Sequence, residues 1–255
     1  MGGRAFAEGV RPPALMGVVN VTPDSFHPGS RSLDPSHAVS RGISMIDEGA
    51  SIIDIGGEST RPGAMPVDLE SELSRTIPVI EGILHERPDA FMSVDTSKPR
   101  VASEALRKGC RMINDVTGAE NEEMIDLIAD AGAQICVMHM KGEPRTMQVD
   151  PGYDDVVSEV GAYLSGRVNA LVEAGIPPRN ILVDPGIGFG KRLEDNIALL
   201  KAGREVVPRE DVRLLWGVSR KRMFLDLLGR KDSNDRLFGT LGVAASAVCS
   251  GVDVL

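Results

Sequence analysis

No run of apolar residues in this chain approaches the length of a bilayer, so no membrane-spanning helix is expected. Cysteine is scarce too. Cys110, Cys136 and Cys249 are odd in number, widely spaced and set in apolar surroundings such as QICVM. That pattern argues against a disulfide framework or a zinc site and predicts three reduced core residues. Basic charge is in deficit, with 28 Lys and Arg against 37 Asp and Glu and a net charge of -9. Binding to phosphate polymers needs a basic face, so no nucleic-acid partner is expected. The opening MGGRAFAEGVRPP lacks the continuous apolar segment of a secretory signal, and Phe6 stands where an acylation motif requires Ser or Thr. The expectation is a cytoplasmic protein.

What is present is a repeated grammar. Short apolar runs recur as ALMGVV, SIIDI, FMSVD, RMIND, QICVM, NILVD, LLWGV and GVDVL, eight candidate strands. Segments of helical spacing lie between most of them, clearest where Leu69, Leu73, Ile77, Ile80 and Leu84 recur every three or four residues. Gly49, Gly109, Gly132, Gly175 and Gly251 each stand between a helical segment and the next strand, where a left-handed cap is needed. Eight such units in 255 residues predict a single domain, residues 1–255, folded as a parallel TIM (β/α)8 barrel. The last βα unit is incomplete, because the chain ends at Leu255. A doubly wound open sheet is the alternative, but no G-x-G-x-x-G opens a helix after the first strand.

In a barrel of this kind the active site lies at the C-terminal ends of the strands. The polar residues just after each apolar run are therefore the candidates: Asn20, Glu58 to Arg61, Asp95, Asn114, Met138 with His139, Asp184, and Ser219 to Lys221. Asp95, Asn114 and Asp184 together would form a ring of donors and acceptors suited to a flat, nitrogen-rich heterocycle. Capping of the following helix is the plain competitor for each taken singly. DPGIGFGK lacks the Walker spacing, so its glycines are read as letting the backbone approach a flat ligand, with Phe189 beside it. Arg220, Lys221 and Arg222 follow the seventh strand, where cations oppose the dipole of the next helix. Thr60 offers a hydroxyl and Arg61 a forked donor, unless Arg61 simply pairs with Glu58. Asn20 offers a neutral oxygen suited to magnesium, or makes an Asx-turn.

Taken in order, NVTPDSF, DIGGESTRPGA, SVDTSKPRVA, INDVTG, VMHMKGEPRTMQ, DPGIGFGK and SRKRMF resemble the dihydropteroate synthases of folate biosynthesis. The resemblance runs from Asn20 to about Gly251. It implies a TIM barrel that condenses 6-hydroxymethyl-7,8-dihydropterin diphosphate with p-aminobenzoate, releasing pyrophosphate with the help of Mg²⁺. It implies that Asp95, Asn114, Asp184 and Lys221 hold the pterin, that Met138, Phe189 and Gly217 line its pocket, and that Arg236 stacks on it. By the same resemblance Asn20 binds the metal, Thr60 and Arg61 act near the diphosphate and the amine, and Pro62 and Phe26 wall the p-aminobenzoate site. A homodimer and sensitivity to sulfonamides are implied as well. The chain departs from the family where HPGS, with Pro28, replaces Ser-Asp-Gly-Gly, and where the Arg-x-His pair expected after GVDVL is not reached. Two other readings are a pterin-binding paralogue without catalysis and a folate-dependent methyltransferase of the same barrel family. The STRPGA loop and the Ser-Arg-Lys run speak against the methyltransferase.

Overall fold

The computed structural model describes residues 12–22, 35–59, 64–142, 147, 151–229 and 234–255. Strands and helices alternate along the chain, in the order β1 (Met16–Asn20), α1 (Pro35–Asp47), β2 (Ile52–Gly56), α2 (Leu69–Glu86), β3 (Met92–Asp95) and α3 (Pro99–Arg107). They continue as β4 (Met112–Asp115), α4 (Glu122–Ala131), β5 (Gln134–Met138), α5 (Val156–Glu173), β6 (Ile181–Asp184) and α6 (Leu193–Ala202). The last are β7 (Arg213–Leu214), α7 (Met223–Leu228) and α8 (Leu237–Ala247). The strands pair in sequence order and all in parallel. Parallel neighbours need a crossover, and the helices supply it on the outside of the sheet.

Local sequence explains where the helices begin and stop. Asp68 caps α2 by accepting from the Ser71 amide at 2.9 Å, Asn121 caps α4 through the Glu123 amide, and Asp155 caps α5 through the Val157 and Ser158 amides. Gly132 ends α4 in the left-handed conformation at φ 61°. The other four glycines expected at helix ends also have positive φ.

The sheet closes on itself. Val254 bridges Leu215 on one side and Ala14 on the other, both in parallel, and Met16 donates its amide to the Leu255 carbonyl at 2.9 Å. The eighth strand position is thus filled, and no helix follows it within the 255 residues. The closing segment reaches β1 only as far as Met16, and Val18 beyond it is 49% exposed.

Two cores follow from the period of two along each strand. Ile52, Met112, Cys136, Leu182, Leu215 and Val254 pack inside the barrel, and a much larger cluster fills the space between sheet and helices. Two expectations need correction. LLWGV contributes only Leu214 to a ladder that begins at Arg213 and an isolated bridge at Leu215, while Trp216 is fully buried on the helix side. Cys249 is exposed, because it lies in the turn after α8, and only Cys110 and Cys136 are core residues. Among the described residues no helix is long and apolar enough to cross a membrane.

Closure depends on a small polar clamp. Asp253 Oδ2 accepts from the Leu214 amide at 2.7 Å and from Arg204 Nη1 at 2.6 Å, joining the closing segment to β7 and to the turn after α6. Asp253→Ala is expected to destabilise the fold by about 1 kcal/mol, because the clamp is partly exposed and Arg204 keeps other acceptors. Urea unfolding reads this as a lower midpoint at unchanged slope.

Candidate active site

Alternation decides which side chains enter the barrel. In β2, Ile53 and Ile55 belong to the helix-facing core and Ile52 to the interior, so Asp54 and Gly56 share the interior face. The same reasoning directs Ser93 and Asp95 of β3, Asn114 of β4, Met138 of β5 and Asp184 of β6 inward. Register then brings the strand ends together, with Asn20 opposite Gly56, Gly56 opposite Asp95, and Asp95 opposite Asn114. On the far side Met138 stands opposite Asp184. Gly56 has a steric reason to lack a side chain, since a Cβ there would lie 3.3 Å from Asn20 Oδ1 and 3.6 Å from Asp95 Oδ2.

One layer below the rim lies a residue that strand-end reasoning did not select. Asp54 is 1% exposed and its Oδ2 accepts from Asn114 Nδ2 at 2.9 Å. Burial raises the Asp54 pKa, against the opposing effect of Ser93 and Asn114. Asp95 is raised well above the usual carboxylate range, first by burial and then by the charges of Asp54, Asp115, Glu72 and Glu58. Asp115 faces away from the barrel, fully buried, and its Oδ1 accepts from the Thr117 amide and hydroxyl at 2.8 and 2.7 Å.

The opposite side of the mouth carries the cations. Asp184 Oδ1 accepts from the Gly186 amide at 2.7 Å. Burial raises its pKa, while the Gly186 and Gly217 amides and the charges of Lys221 and Lys191 pull the other way. Gly217 approaches closely, since a Cβ on it would lie 3.3 Å from Asp184 Oδ2. Lys221 Nζ stands 4.1 Å from the centre of the Phe189 ring, a cation–π contact. Burial lowers the Lys221 pKa, and Asp184 and Asp95 oppose that shift. The turn before Lys221 is strained at Arg220, φ 50°, whose amide donates to Thr240 Oγ1 at 2.8 Å. Arg236 reaches the same turn, with Nη1 3.4 Å from the Arg220 carbonyl.

Asn20, Asp95, Asn114, Met138, Asp184, Phe189, Gly217, Lys221 and Arg236 are thus all at the end of the barrel where the strands finish. Thr60, Arg61, Pro62, Phe26, His27 and Pro28 lie outside the described residues. Gly57 and Glu58, just before Thr60 in the chain, are well held. Arg75 Nη1 donates to the Gly57 carbonyl at 2.8 Å, and Lys98 Nζ bonds Glu58 Oε2 at 2.5 Å and the buried Glu72. Burial works against the Lys98 ammonium, but the two carboxylates outweigh it and raise its pKa. Among the described residues Glu58 pairs with Lys98, and Arg61 lies outside them. No period or strand-end rule marks Lys98, whereas Asp54 was detectable by counting two residues back from Gly56 on the interior face.

The expected Mg²⁺ site needs correction. Among the described residues no group of three or more His, Cys, Asp or Glu side chains is arranged to hold a metal ion. Asn20 stands in the rim as a lone neutral amide rather than as one member of a ligand set, so the expectation of Mg²⁺ at Asn20 is withdrawn.

Comparison with known proteins bears on this arrangement directly. Over 243 residues the chain is 43% identical to the dihydropteroate synthase of Escherichia coli (strain K12), across 95% of this chain and 85% of that relative. The solved Xanthomonas albilineans dihydropteroate synthase with 4-aminobenzoic acid matches with a TM-score of 0.89 at 42% identity, covering 96% of this chain and 86% of that one. The Yersinia pestis dihydropteroate synthase in a sulfonamide drug complex matches with a TM-score of 0.87 at 38% identity, covering 98% and 91%. A family model described as pterin binding enzyme matches residues 16–255, and the chain belongs to that family.

Proposed function

We propose that this chain is a dihydropteroate synthase, a transferase joining 6-hydroxymethyl-7,8-dihydropterin diphosphate to p-aminobenzoate to give 7,8-dihydropteroate and pyrophosphate. The observation that carries the reading is the ring of Asp95, Asn114, Asp184 and Lys221 around one barrel mouth, in a chain 43% identical to such an enzyme. In this reading residues 1–255 form one domain and both substrates are small molecules. The flat pterin lies across the mouth, its ring N–H and amino groups donating to Asp95 and Asp184. Asn114 and Lys221 complete the edge, Met138, Phe189 and Gly217 line the pocket, and Arg236 stacks on the ring. Thr60 and Arg61 act near the diphosphate and the incoming amine, with Pro62 and Phe26 beside p-aminobenzoate.

The chemistry follows from charge. Breaking the bond between the pterin methylene carbon and the bridging oxygen sends the electron pair out with pyrophosphate and leaves positive charge on the carbon. A fixed carboxylate beside that carbon stabilises the charge as it develops, without the reorganisation that water would need. Asp95 takes this role. The aromatic amine then attacks the carbon, and the protonated nitrogen so formed gives its proton to solvent. Arg61 stabilises the departing diphosphate.

A cytoplasmic location belongs to the same reading and is supported by the three free cysteines. So does a homodimer. The outer face of α8 leaves Leu237, Phe238 and Leu241 at 39%, 80% and 54% exposure, an apolar stripe suited to a second copy of the chain. Phe238→Glu is expected to shift the sedimentation-equilibrium mass from dimer towards monomer, and an unchanged dimer would place the contact elsewhere.

Activity tests the central reading. Wild-type protein supplied with both substrates is expected to form dihydropteroate and pyrophosphate in equal amounts, and Asp95→Asn to lower kcat by about a hundredfold or more. Pyrophosphate release distinguishes the enzyme from a paralogue that only binds pterin, which would release none.

A further inference from the structure

The segments after β5 and β6 meet at a lysine for which neither the strand-end reading nor the proposed chemistry has a use. Lys191 is 4% exposed. Its Nζ lies 2.9 Å from His139 Nδ1, 3.3 Å from the His139 carbonyl and 3.0 Å from the Phe189 carbonyl. An ammonium has three donors and no acceptor, and three acceptors surround it here. His139 is itself held in place, with its ring edge-on to Tyr163 at 5.0 Å and its amide bonded to the Asp184 carbonyl.

The two segments are in backbone contact on either side of this amine. A Cβ on Gly186 would fall 1.9 Å from the His139 carbonyl, and one on Gly190 would fall 2.3 Å from that of Lys141. Tyr153, from the stretch before α5, donates its hydroxyl to the Gly190 carbonyl at 2.8 Å, and the Gly188 amide donates to Asn196 Oδ1 at 2.6 Å. The Phe189 ring rests against Lys221 Nζ at 4.1 Å. Moving the Phe189 backbone therefore moves a wall of the mouth and the support of its main cation.

We propose that Lys191 is a positioning residue for the pterin pocket, a buried tie between the segments after β5 and β6 that sets where Phe189 and Lys221 stand. The inference rests on the proposed function for the identity of the ligand. A structural lysine elsewhere in the core would gain nothing from burial, since a buried ammonium costs free energy unless its donors are used. That cost is visible here: burial lowers the Lys191 pKa to about 7, against the attraction of Asp184 and Asp195. The same burial and the Lys191 charge hold His139 at about 3, so His139 is a neutral acceptor throughout the working range. Removing the amine strands two carbonyls and an imidazole nitrogen, which the segments relieve by separating.

The test is calorimetric binding of 6-carboxypterin, an unreactive pterin, to wild type, Lys191→Met and Lys191→Gln, with steady-state kinetics beside it. Lys191→Met is expected to weaken pterin binding by about tenfold or more, and Lys191→Gln, which keeps an amide donor, to fall between it and wild type. KM for the pterin diphosphate is expected to rise more than kcat falls, while KM for p-aminobenzoate stays within about twofold. Pterin binding within about twofold of wild type in Lys191→Met overturns the inference, as does an equal rise in both KM values. If Lys191→Met does not fold by circular dichroism, Lys191→Gln decides by the same criteria. A wild type that binds no pterin overturns the proposed function and this inference together, whereas wild-type binding with unaffected variants overturns this inference alone.

Discussion

Carboxylates gathered in the mouth of a closed barrel repel one another, and the rest of the site is arranged around that repulsion. Asp54 and Asp95 point inward from neighbouring strands, Asp184 from across the mouth, and Asp115, Glu72 and Glu58 add their fields from outside the barrel. Each prefers water, and burial deprives all but the part-exposed Glu58 of most of it. Three lysines compensate, one outside the barrel and two beside Asp184. Lys98 neutralises Glu58 and Glu72 outside the barrel, Lys221 faces Asp184 and Asp95, and Lys191 lies behind Asp184. Asp95 is left well above the usual carboxylate range, raised first by burial and then by its acidic neighbours, and its carboxylate makes no hydrogen bond among the described residues. A group held in that state binds a ligand that brings N–H donors and stabilises positive charge appearing nearby.

Backbone geometry makes this arrangement possible. Positive φ at Gly186, Gly188 and Gly190 lets the segment after β6 fold back over the strand ends, and the absence of a Cβ at Gly186 and Gly190 lets it touch the segment after β5. Gly56 and Gly217 do the same service for Asp95 and Asp184 at the rim. Rigid strands fix the carboxylates, and the glycine-rich segment supplies a wall whose position side chains must hold. Asn196 and Lys191 hold it. The division explains why the polar residues most important to the reading sit on strands while those that shape the pocket sit just beyond them.

The fold was legible because parallel strands buried on both faces read as short apolar runs, and the first six of those runs lie where the ladders are. The seventh was misjudged for a physical reason. LLWGV has the composition of a strand, but of its residues only Leu214 lies in the ladder, while Leu215 keeps an isolated bridge and Trp216 a single amide bond to the Val254 carbonyl. The eighth run proved more complete than its length suggested, since a single residue, Val254, bridges both neighbours. Strand-end residues of the site were legible by position, and Asn114 and Lys221 needed no more than that. Lys98, Lys191 and the pairing of Asp54 with Asn114 were not, because a buried charge is decided by partners 26 to 60 residues away and leaves no local pattern. Cys249 misled in the opposite sense: its apolar neighbours belong to a helix whose outer face is exposed.

The measurement that tests this account most directly is kcat/KM for the pterin diphosphate against pH, in wild type and in Asp54→Asn. A carboxylate whose pKa is raised in the folded protein loses its charge at higher pH than an ordinary aspartate, so activity that needs the charge falls as pH falls through that raised value. Burial of Asp95 persists in the variant, but the like charge of Asp54 is gone, and the amide that replaces it still accepts from Asn114. The account predicts an acid limb above the usual carboxylate range in wild type and a limb displaced to lower pH in Asp54→Asn. Because the carboxylates interact, the limb belongs to the group of them rather than to Asp95 alone. An acid limb that stays in place when the Asp54 charge is removed would contradict it.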